Sequence, residues 1–148
     1  MSRRLAREAA FKALFQLDFN SAEDEEREVR ERLAIDLAIE TIDETMLDEE
    51  PILKKKDLSY LESTVKGTRS RLAEIDELII SRLKESWQLS RIMAVDRNIL
   101  RLAIYEMKFA GTPIPKNIVI NEAIELAKNY GTDDSRKFVN GILEAISK

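Results

Sequence analysis

The sequence contains no cysteine and no histidine among its 148 residues. Without cysteine, the chain has no disulfide framework and no thiolate metal site. Without histidine, it has no imidazole general base, no serine–histidine–aspartate triad and none of the usual zinc sites. Glycine occurs at only four scattered positions, so the sequence has no glycine-rich phosphate-binding loop. These absences exclude most common enzyme chemistries.

Long apolar runs are also missing from the sequence. No stretch is apolar enough to span a membrane, and the N-terminus lacks the apolar core of a signal peptide. We therefore expect a cytoplasmic protein.

Glu122 and Glu125 lie three residues apart, but a di-metal site on helices requires a Glu-x-x-His pattern. We predict no catalytic residue, no metal and no cofactor.

The residues that are present are typical of a soluble helical domain. Hydrophobic residues make up 44% and charged residues 35% of the chain, which is long enough for one core. The net charge of −4 is unevenly distributed, because residues 21–51 hold thirteen acidic and three basic side chains. The flanking segments are therefore net basic, and the overall acidity does not exclude binding to RNA.

Apolar residues recur at helical spacing along the whole chain. We expect helices at Arg3 to Phe19, within 22–50, at 57–66, at 69–86 and at Arg91 to Ala110. Gly67 is expected to divide the third and fourth of these, the alternative being one continuous helix with a coiled-coil seam. Trp87 follows this region, and we expect its ring to anchor the core.

The C-terminal stretch from Ile114 to Ile146 carries the clearest start and stop signals. Pro113 and Pro115 favour a helix start after them, and an apolar stripe follows up to Tyr130. Gly131 is expected to end this helix in the left-handed conformation, and Thr132 to cap the next one. Gly141 would allow another helix to approach closely. The pattern predicts an αα-hairpin.

The first helix combines arginines with aromatic residues on one side. Arg4, Phe11 and Phe15 fall opposite a broad aliphatic face, and Arg7 flanks them. Such a surface suits contact with phosphates and stacking on unpaired bases. The alternative, favoured for Phe11, is that the rings are buried in the core.

Three stretches resemble the NusB family of bacterial transcription antitermination factors. They are RRLAREAAFKALFQ at the start, VDRNILRLAIYEM from Val95, and NEAIELAKNYGTDDSRKFVNGIL near the end. The resemblance covers both ends and the middle of the chain and is weak over about 21–56. It implies an all-α single domain, residues 1–148, of about seven helices in two packed helical subdomains.

The resemblance also implies a function without catalysis. Members of this family bind the boxA element of nascent RNA jointly with the small-subunit ribosomal protein NusE, in an antitermination complex on RNA polymerase. An aromatic residue matching Phe15 and an acidic residue matching Asp96 contact NusE. The candidate RNA-binding residues, by motif position, are Arg3, Arg4, Arg7, Asp134, Ser135, Lys137 and Phe138.

Several alternatives remain open from the sequence. Asp96 could instead form an exposed ion pair with an arginine, Asp134 could only stabilise the helix dipole, and Phe138 could be a core residue. The whole chain could be a protein-only helical scaffold. It could also be the RNA-binding domain of an rRNA cytosine methyltransferase, if it is a piece of a longer protein. The first helix could equally be buried in a homodimer.

Overall fold

A computed structural model describes residues 2–19, 26–43, 53–84 and 87–148. Seven α-helices, and no strand, are found in these ranges. They are α1 (Ser2–Asp18), α2 (Arg27–Asp43), α3 (Lys55–Ser70), α4 (Leu72–Ile80), α5 (Ala94–Ile104), α6 (Lys116–Tyr130) and α7 (Ser135–Ser147). The all-α fold class is thus confirmed. No helix in the described ranges is long and apolar enough to cross a membrane.

The chain divides into two compact units, Met1–Lys66 and Gly67–Lys148. In the first unit α1 packs mainly against α2. The small residues of the aliphatic face of α1, such as Ala6, Ala9 and Ala13, are fully buried, which allows this close packing. Phe11 is buried as well, so the expectation of a core position for this ring is confirmed.

In the second unit α5 packs against α4, α6 and α7, so it is the central helix. Ile99, Leu100 and Ile104 of α5 are fully buried. Arg101 is also buried on α5 and forms a bidentate pair with Asp76 of α4, with nitrogen–oxygen distances of 2.8 and 3.0 Å. This pair joins α4 to α5 and satisfies a charge that would otherwise be costly to bury.

The boundary between the third and fourth helices differs from the prediction. Helix α3 continues through Gly67 and ends at Ser70, and Arg71 leaves the helical conformation with φ −105° and ψ 14°. Gly67 is needed for a contact, because a Cβ atom at this position would overlap the ring of Tyr105. The break lies four residues later than expected because this glycine accommodates a ring within a continuous helix.

Helix α4 ends at Ile80, well short of the expected 86. Residues 81–83 form a turn and a bend, and Trp87 therefore does not continue the apolar face of α4. Its side chain is 48% exposed. The expectation that Trp87 anchors the core was wrong, because it assumed a helix that reaches residue 86, whereas α4 ends at Ile80.

The helical hairpin at the C-terminus is confirmed, but its turn is built differently. Gly131 has φ −98° and ψ −165°, which is extended and not left-handed. Thr132 does not cap α7 either: its backbone N–H donates a hydrogen bond to the Ser135 hydroxyl oxygen at 2.9 Å. A Cβ atom at Gly131 would lie 2.5 Å from that oxygen. Gly131 is therefore required by the close approach of Ser135 and not by its backbone angles.

Candidate nucleic-acid interface

The arginines of α1 are held by residues of α3. Arg3 lies with its guanidinium carbon 4.3 Å from the ring centroid of Tyr60, and its Nε is 3.2 Å from Asp57 Oδ1. Asp57 is almost fully buried, whereas the Arg3 side chain remains 46% exposed. A cation–π contact and an ion pair together restrict the rotamers of Arg3. One edge of the guanidinium is thus fixed at the surface.

Arg4 and Arg7 have different environments although they belong to the same helix. Arg4 is exposed, but Arg7 is only 7% exposed and its guanidinium carbon lies 5.6 Å from the Tyr60 centroid. The expectation that Arg7 flanks an open polar face is therefore not met, because Tyr60 of α3 covers that side of α1. Arg3 and Arg4 offer positive charge at this surface, and Arg7 supports the ring beside them.

Three phenylalanines form a row along α1. The centroids of Phe11 and Phe15 are 6.2 Å apart, and those of Phe15 and Phe19 are 5.0 Å apart with an edge-to-face arrangement. Phe11 is buried, Phe15 is half-buried and Phe19 is 66% exposed. The row therefore leads from the core to the surface, and Phe15 retains an exposed edge for a partner.

A polar network holds the turn between α6 and α7. Ser135 is 1% exposed, and its side chain hydrogen-bonds to the Asp96 carboxylate. The Thr132 hydroxyl lies 3.3 Å from the same Ser135 oxygen. Ser135 can donate to Asp96 while accepting from both the amide and the hydroxyl of Thr132. The network therefore fixes the first residues of α7 against the start of α5.

Asp96 is buried, being only 6% exposed. Burial raises the pKa of its carboxyl, and the hydrogen bond from Ser135 opposes part of that rise. Its Oδ1 atom has no hydrogen-bond partner among the described residues. In the described ranges, Asp96 does not form the exposed ion pair with an arginine that the sequence left open. Arg101 pairs with Asp76, and Arg97 donates a hydrogen bond to the Ile92 carbonyl at 2.9 Å.

The outer face of α7 contrasts with this buried network. Asp134 and Lys137 are exposed, and Phe138 is half-buried. Phe138 is thus not the core residue that its apolar spacing suggested. Asp134 precedes the first helical residue of α7 and places a carboxylate near the positive end of the helix dipole. This face presents a cation, a carboxylate and part of an aromatic ring.

Sequence reasoning did not identify Tyr60 or Trp87 as parts of a candidate surface. Tyr60 lies in a charged stretch of α3, and only the folded structure brings its ring against two arginines of α1. Trp87 was assigned to the core because large aromatic residues are usually buried and because it follows a helix that was expected to reach residue 86. No sequence feature near the end of α4 indicated that the helix would stop before Trp87 and leave its ring exposed. Among the described residues, no group of three acidic side chains is placed to hold a metal ion.

Comparison with known proteins identifies the chain's relatives. The protein-family model for the NusB family matches residues 4–148. The transcription antitermination protein NusB of Bacillus cereus strain B4264 is 41% identical over 146 residues, covering 99% of this chain and 97% of the relative. The T. maritima NusB structure is 43% identical with a TM-score of 0.75, covering 98% of this chain and 89% of that chain.

A second solved structure contains antitermination factors NusB and NusE in complex with double-stranded RNA. Its matching chain is 26% identical with a TM-score of 0.75, covering 99% of this chain and 96% of that chain. The helical fold and these relatives define a transcription antitermination factor rather than an enzyme. The chain belongs to the NusB family.

Proposed function

We propose that this antitermination factor binds boxA RNA together with NusE. The observation that carries the proposal is the similarity, over nearly the whole chain, to a protein solved with NusE and RNA. The surface chemistry supports it, because cations and partly exposed aromatic rings occur both on α1 and on α7. Phosphates are contacted by cations, and unpaired bases by rings.

The candidate RNA-binding residues have distinct roles in this proposal. Arg3, Arg4 and Lys137 are exposed and neutralise phosphates. Asp134 repels phosphates, so it contributes only by accepting a hydrogen bond from a base edge or a 2′-hydroxyl. Phe138 offers part of a ring for stacking. Each of these five residues is proposed to contact the RNA directly.

Arg7 and Ser135 contribute indirectly, because both are buried. Arg7 lies beside the Tyr60 ring on which Arg3 also stacks. Ser135 holds the turn that precedes Lys137 and Phe138. We therefore assign them to positioning the exposed residues, and we expect their substitution to reduce RNA affinity together with stability.

NusE is the proposed protein partner, with Phe15 and Asp96 as its candidate contacts. Phe15 keeps an exposed edge and adjoins the exposed Phe19 ring, so it suits direct apolar contact. Asp96 is buried against Ser135, which favours an effect on NusE through the position of α5 and α7. Phe15→Ala should therefore weaken NusE binding while the helical fold is retained, and Asp96→Lys should unfold the second unit.

Filter binding with boxA RNA and a scrambled RNA, each with and without NusE, tests the proposal. We expect retention of boxA RNA in preference to the scrambled RNA, and tighter retention when NusE is present. Binding of NusE without any RNA preference would instead identify a protein-only scaffold.

A homodimer that separates when RNA is added, measured by light scattering, would show that the α1 surface is shared between self-association and RNA.

The cellular setting follows from these partners. A factor that acts on nascent transcripts works in the cytoplasm of a bacterium, in indirect contact with RNA polymerase and other antitermination factors. Co-purification of RNA polymerase with the tagged chain should depend on boxA RNA. Co-purification that survives ribonuclease treatment would contradict the indirect contact.

A further inference from the structure

The second unit has a surface cavity of about 440 Å³ beside α7. One wall is formed by α7, including Lys137, Phe138 and Gly141. The other wall includes Arg82, Lys84 and Trp87, which follow α4 in the sequence. The volume lies within the range of about 300–1,000 Å³ that is typical of small-ligand sites. The cavity is therefore large enough for one planar ring system.

The lining of the cavity combines aromatic rings with positive charge. Trp87 is 48% exposed and Phe138 is half-buried, so both rings have accessible surface. Arg82, Lys84 and Lys137 supply three cations, and no carboxylate is found among the lining residues that the structure describes. In the part of the chain that the structure describes, no ion pair of Arg82, Lys84 or Lys137 is found. The charge is complementary to an anionic ligand.

These features narrow the class of ligand. Unpaired nucleotides are bound by proteins through stacking on aromatic side chains, with cations following the backbone phosphates. An acidic protein segment would also match the charge, but it would not explain the two accessible rings as well. Lys137 and Phe138 already belong to the proposed RNA surface of α7. The cavity is continuous with that surface in sequence and in structure.

We propose that this cavity binds one unpaired base of the RNA, stacked on Trp87, with Arg82, Lys84 and Lys137 contacting its flanking phosphates. This inference rests on the proposed RNA binding and adds a base subsite to it. This arrangement explains why Trp87 is exposed in the free protein, because a bound base covers apolar ring surface that otherwise faces water. Phe138 contributes the apolar surface of the α7 wall.

Gly141 provides a variant that closes the cavity while keeping the helix. It lines the cavity, and a Cβ atom added there meets no atom within 4 Å. No other helix approaches this position among the described residues, contrary to the expectation from its lack of a side chain. Gly141→Leu therefore places an isobutyl group into the cavity from a Cβ position that is itself free of contacts, and Gly141→Ala is its matched control because it adds only one methyl group.

Trp87 is the only tryptophan in the chain, so its fluorescence reports on this site alone. The experiment titrates the full chain with single-stranded boxA RNA, and with versions in which one nucleotide at a time is made abasic. We expect quenching of Trp87 with the intact RNA, and loss of quenching with one particular abasic RNA. That RNA, Trp87→Ala and Gly141→Leu should each lower affinity by about tenfold, as expected for one base stack.

The controls separate the subsite from the fold and from RNA binding as a whole. Trp87→Phe should recover most of the affinity that Trp87→Ala loses, because a phenyl ring still stacks on a base, and Gly141→Ala should bind more tightly than Gly141→Leu, because it fills less of the cavity. Thermal unfolding of every variant checks that the fold is retained. If Gly141→Leu folds normally and binds RNA unchanged, the base subsite is overturned.

The remaining outcomes also decide the inference. Retention of boxA RNA on filters without any change in Trp87 fluorescence overturns the subsite but leaves the proposed function intact. No retention of RNA, with or without NusE, overturns both. Quenching by NusE in the absence of RNA assigns the cavity to a protein segment, and this too overturns the base subsite.

Discussion

At the scale of single residues, two glycines on helices have opposite roles. Gly67 faces the ring of Tyr105, whereas Gly141 faces open space. Both positions are helical, so alanine would increase helix propensity by up to about 1 kcal/mol at either one. From the sequence alone, an alanine substitution is expected to have the same effect on stability at both positions. Their surroundings decide the sign of the effect.

We predict that Gly67→Ala lowers the free energy of unfolding by about 1–3 kcal/mol, the usual cost of overpacking. Gly141→Ala should raise it by about 0.5–1 kcal/mol, because glycine loses more backbone entropy on folding than alanine. Urea denaturation of the two variants measures both values. Equal effects at the two positions would show that Tyr105 does not pack against Gly67.

Asp96 gives a second prediction at this scale, through pH. Because its pKa is raised by burial, the folded chain binds this proton more tightly than the unfolded chain. The contribution of Asp96 to stability is therefore most favourable below its unfolded pKa and is lost as the pH rises through the folded pKa. Asp96→Asn keeps an acceptor for Ser135 and cannot ionise. We expect this variant to be more stable than the original chain at neutral pH.

The advantage of Asp96→Asn should shrink as the pH falls into the acidic range, which urea denaturation at several pH values can measure. Glu62 is the matched control, because the hydrogen bond from Lys66 and that from Arg32 lower its pKa. Its stabilising effect is present above the unfolded pKa and is lost as the pH falls. Glu62→Gln should therefore cost some stability at neutral pH. An Asp96→Asn variant destabilised at neutral pH would contradict the assignment.

At the scale of elements, the Asp76–Arg101 pair determines how α4 is attached to α5. The Arg101 side chain is 7% exposed and that of Asp76 is 19% exposed. Removing one member of a buried pair leaves the other charge uncompensated, at a cost of about 3–5 kcal/mol when burial is complete. Asp76 keeps some contact with water, so the cost here should be lower.

We predict that Arg101→Met destabilises the chain by about 2–3 kcal/mol, on the basis of this partial burial. Adding Asp76→Asn to that variant should recover part of the loss, because the uncompensated charge is then removed. A double-mutant cycle from thermal or urea unfolding measures the coupling. Additive effects of the two substitutions would show that the pair does not hold α4 to α5.

At the scale of the whole molecule, a chain with a net charge of −4 must bind RNA through local positive charge. Each phosphate contact to single-stranded RNA adds about 0.7 to the slope of log affinity against log salt. Lys137 is an exposed cation of the proposed surface, and Lys128 is an exposed cation in the last turn of α6 that is not among the candidate RNA-binding residues. The two lysines therefore form a matched pair.

We predict that Lys137→Ala lowers the salt slope for boxA RNA by about 0.7, whereas Lys128→Ala leaves it unchanged. Arg4→Ala should resemble Lys137→Ala. Filter binding between low and physiological salt measures the slopes. The same slope for all three variants would remove Lys137 and Arg4 from the RNA surface and would attribute binding to unspecific charge.

The sequence by itself determined the helical class, most helix positions and the family. Apolar residues at helical spacing specify which face of each helix is buried, and this pattern is local. The quoted motifs carried the family resemblance, including Asp134, Lys137 and Phe138 on α7. The absence of histidine and cysteine likewise leaves the chain without an imidazole or a thiolate for catalysis.

Only the tertiary structure decided which of these side chains reach the surface. Arg7, Ser135 and Asp96 are buried because residues distant in sequence cover or hydrogen-bond them, and no local pattern encodes such contacts. Trp87 is exposed because α4 ends early. Helix periodicity records one buried face, whereas burial of a polar group depends on the three-dimensional neighbours that satisfy it.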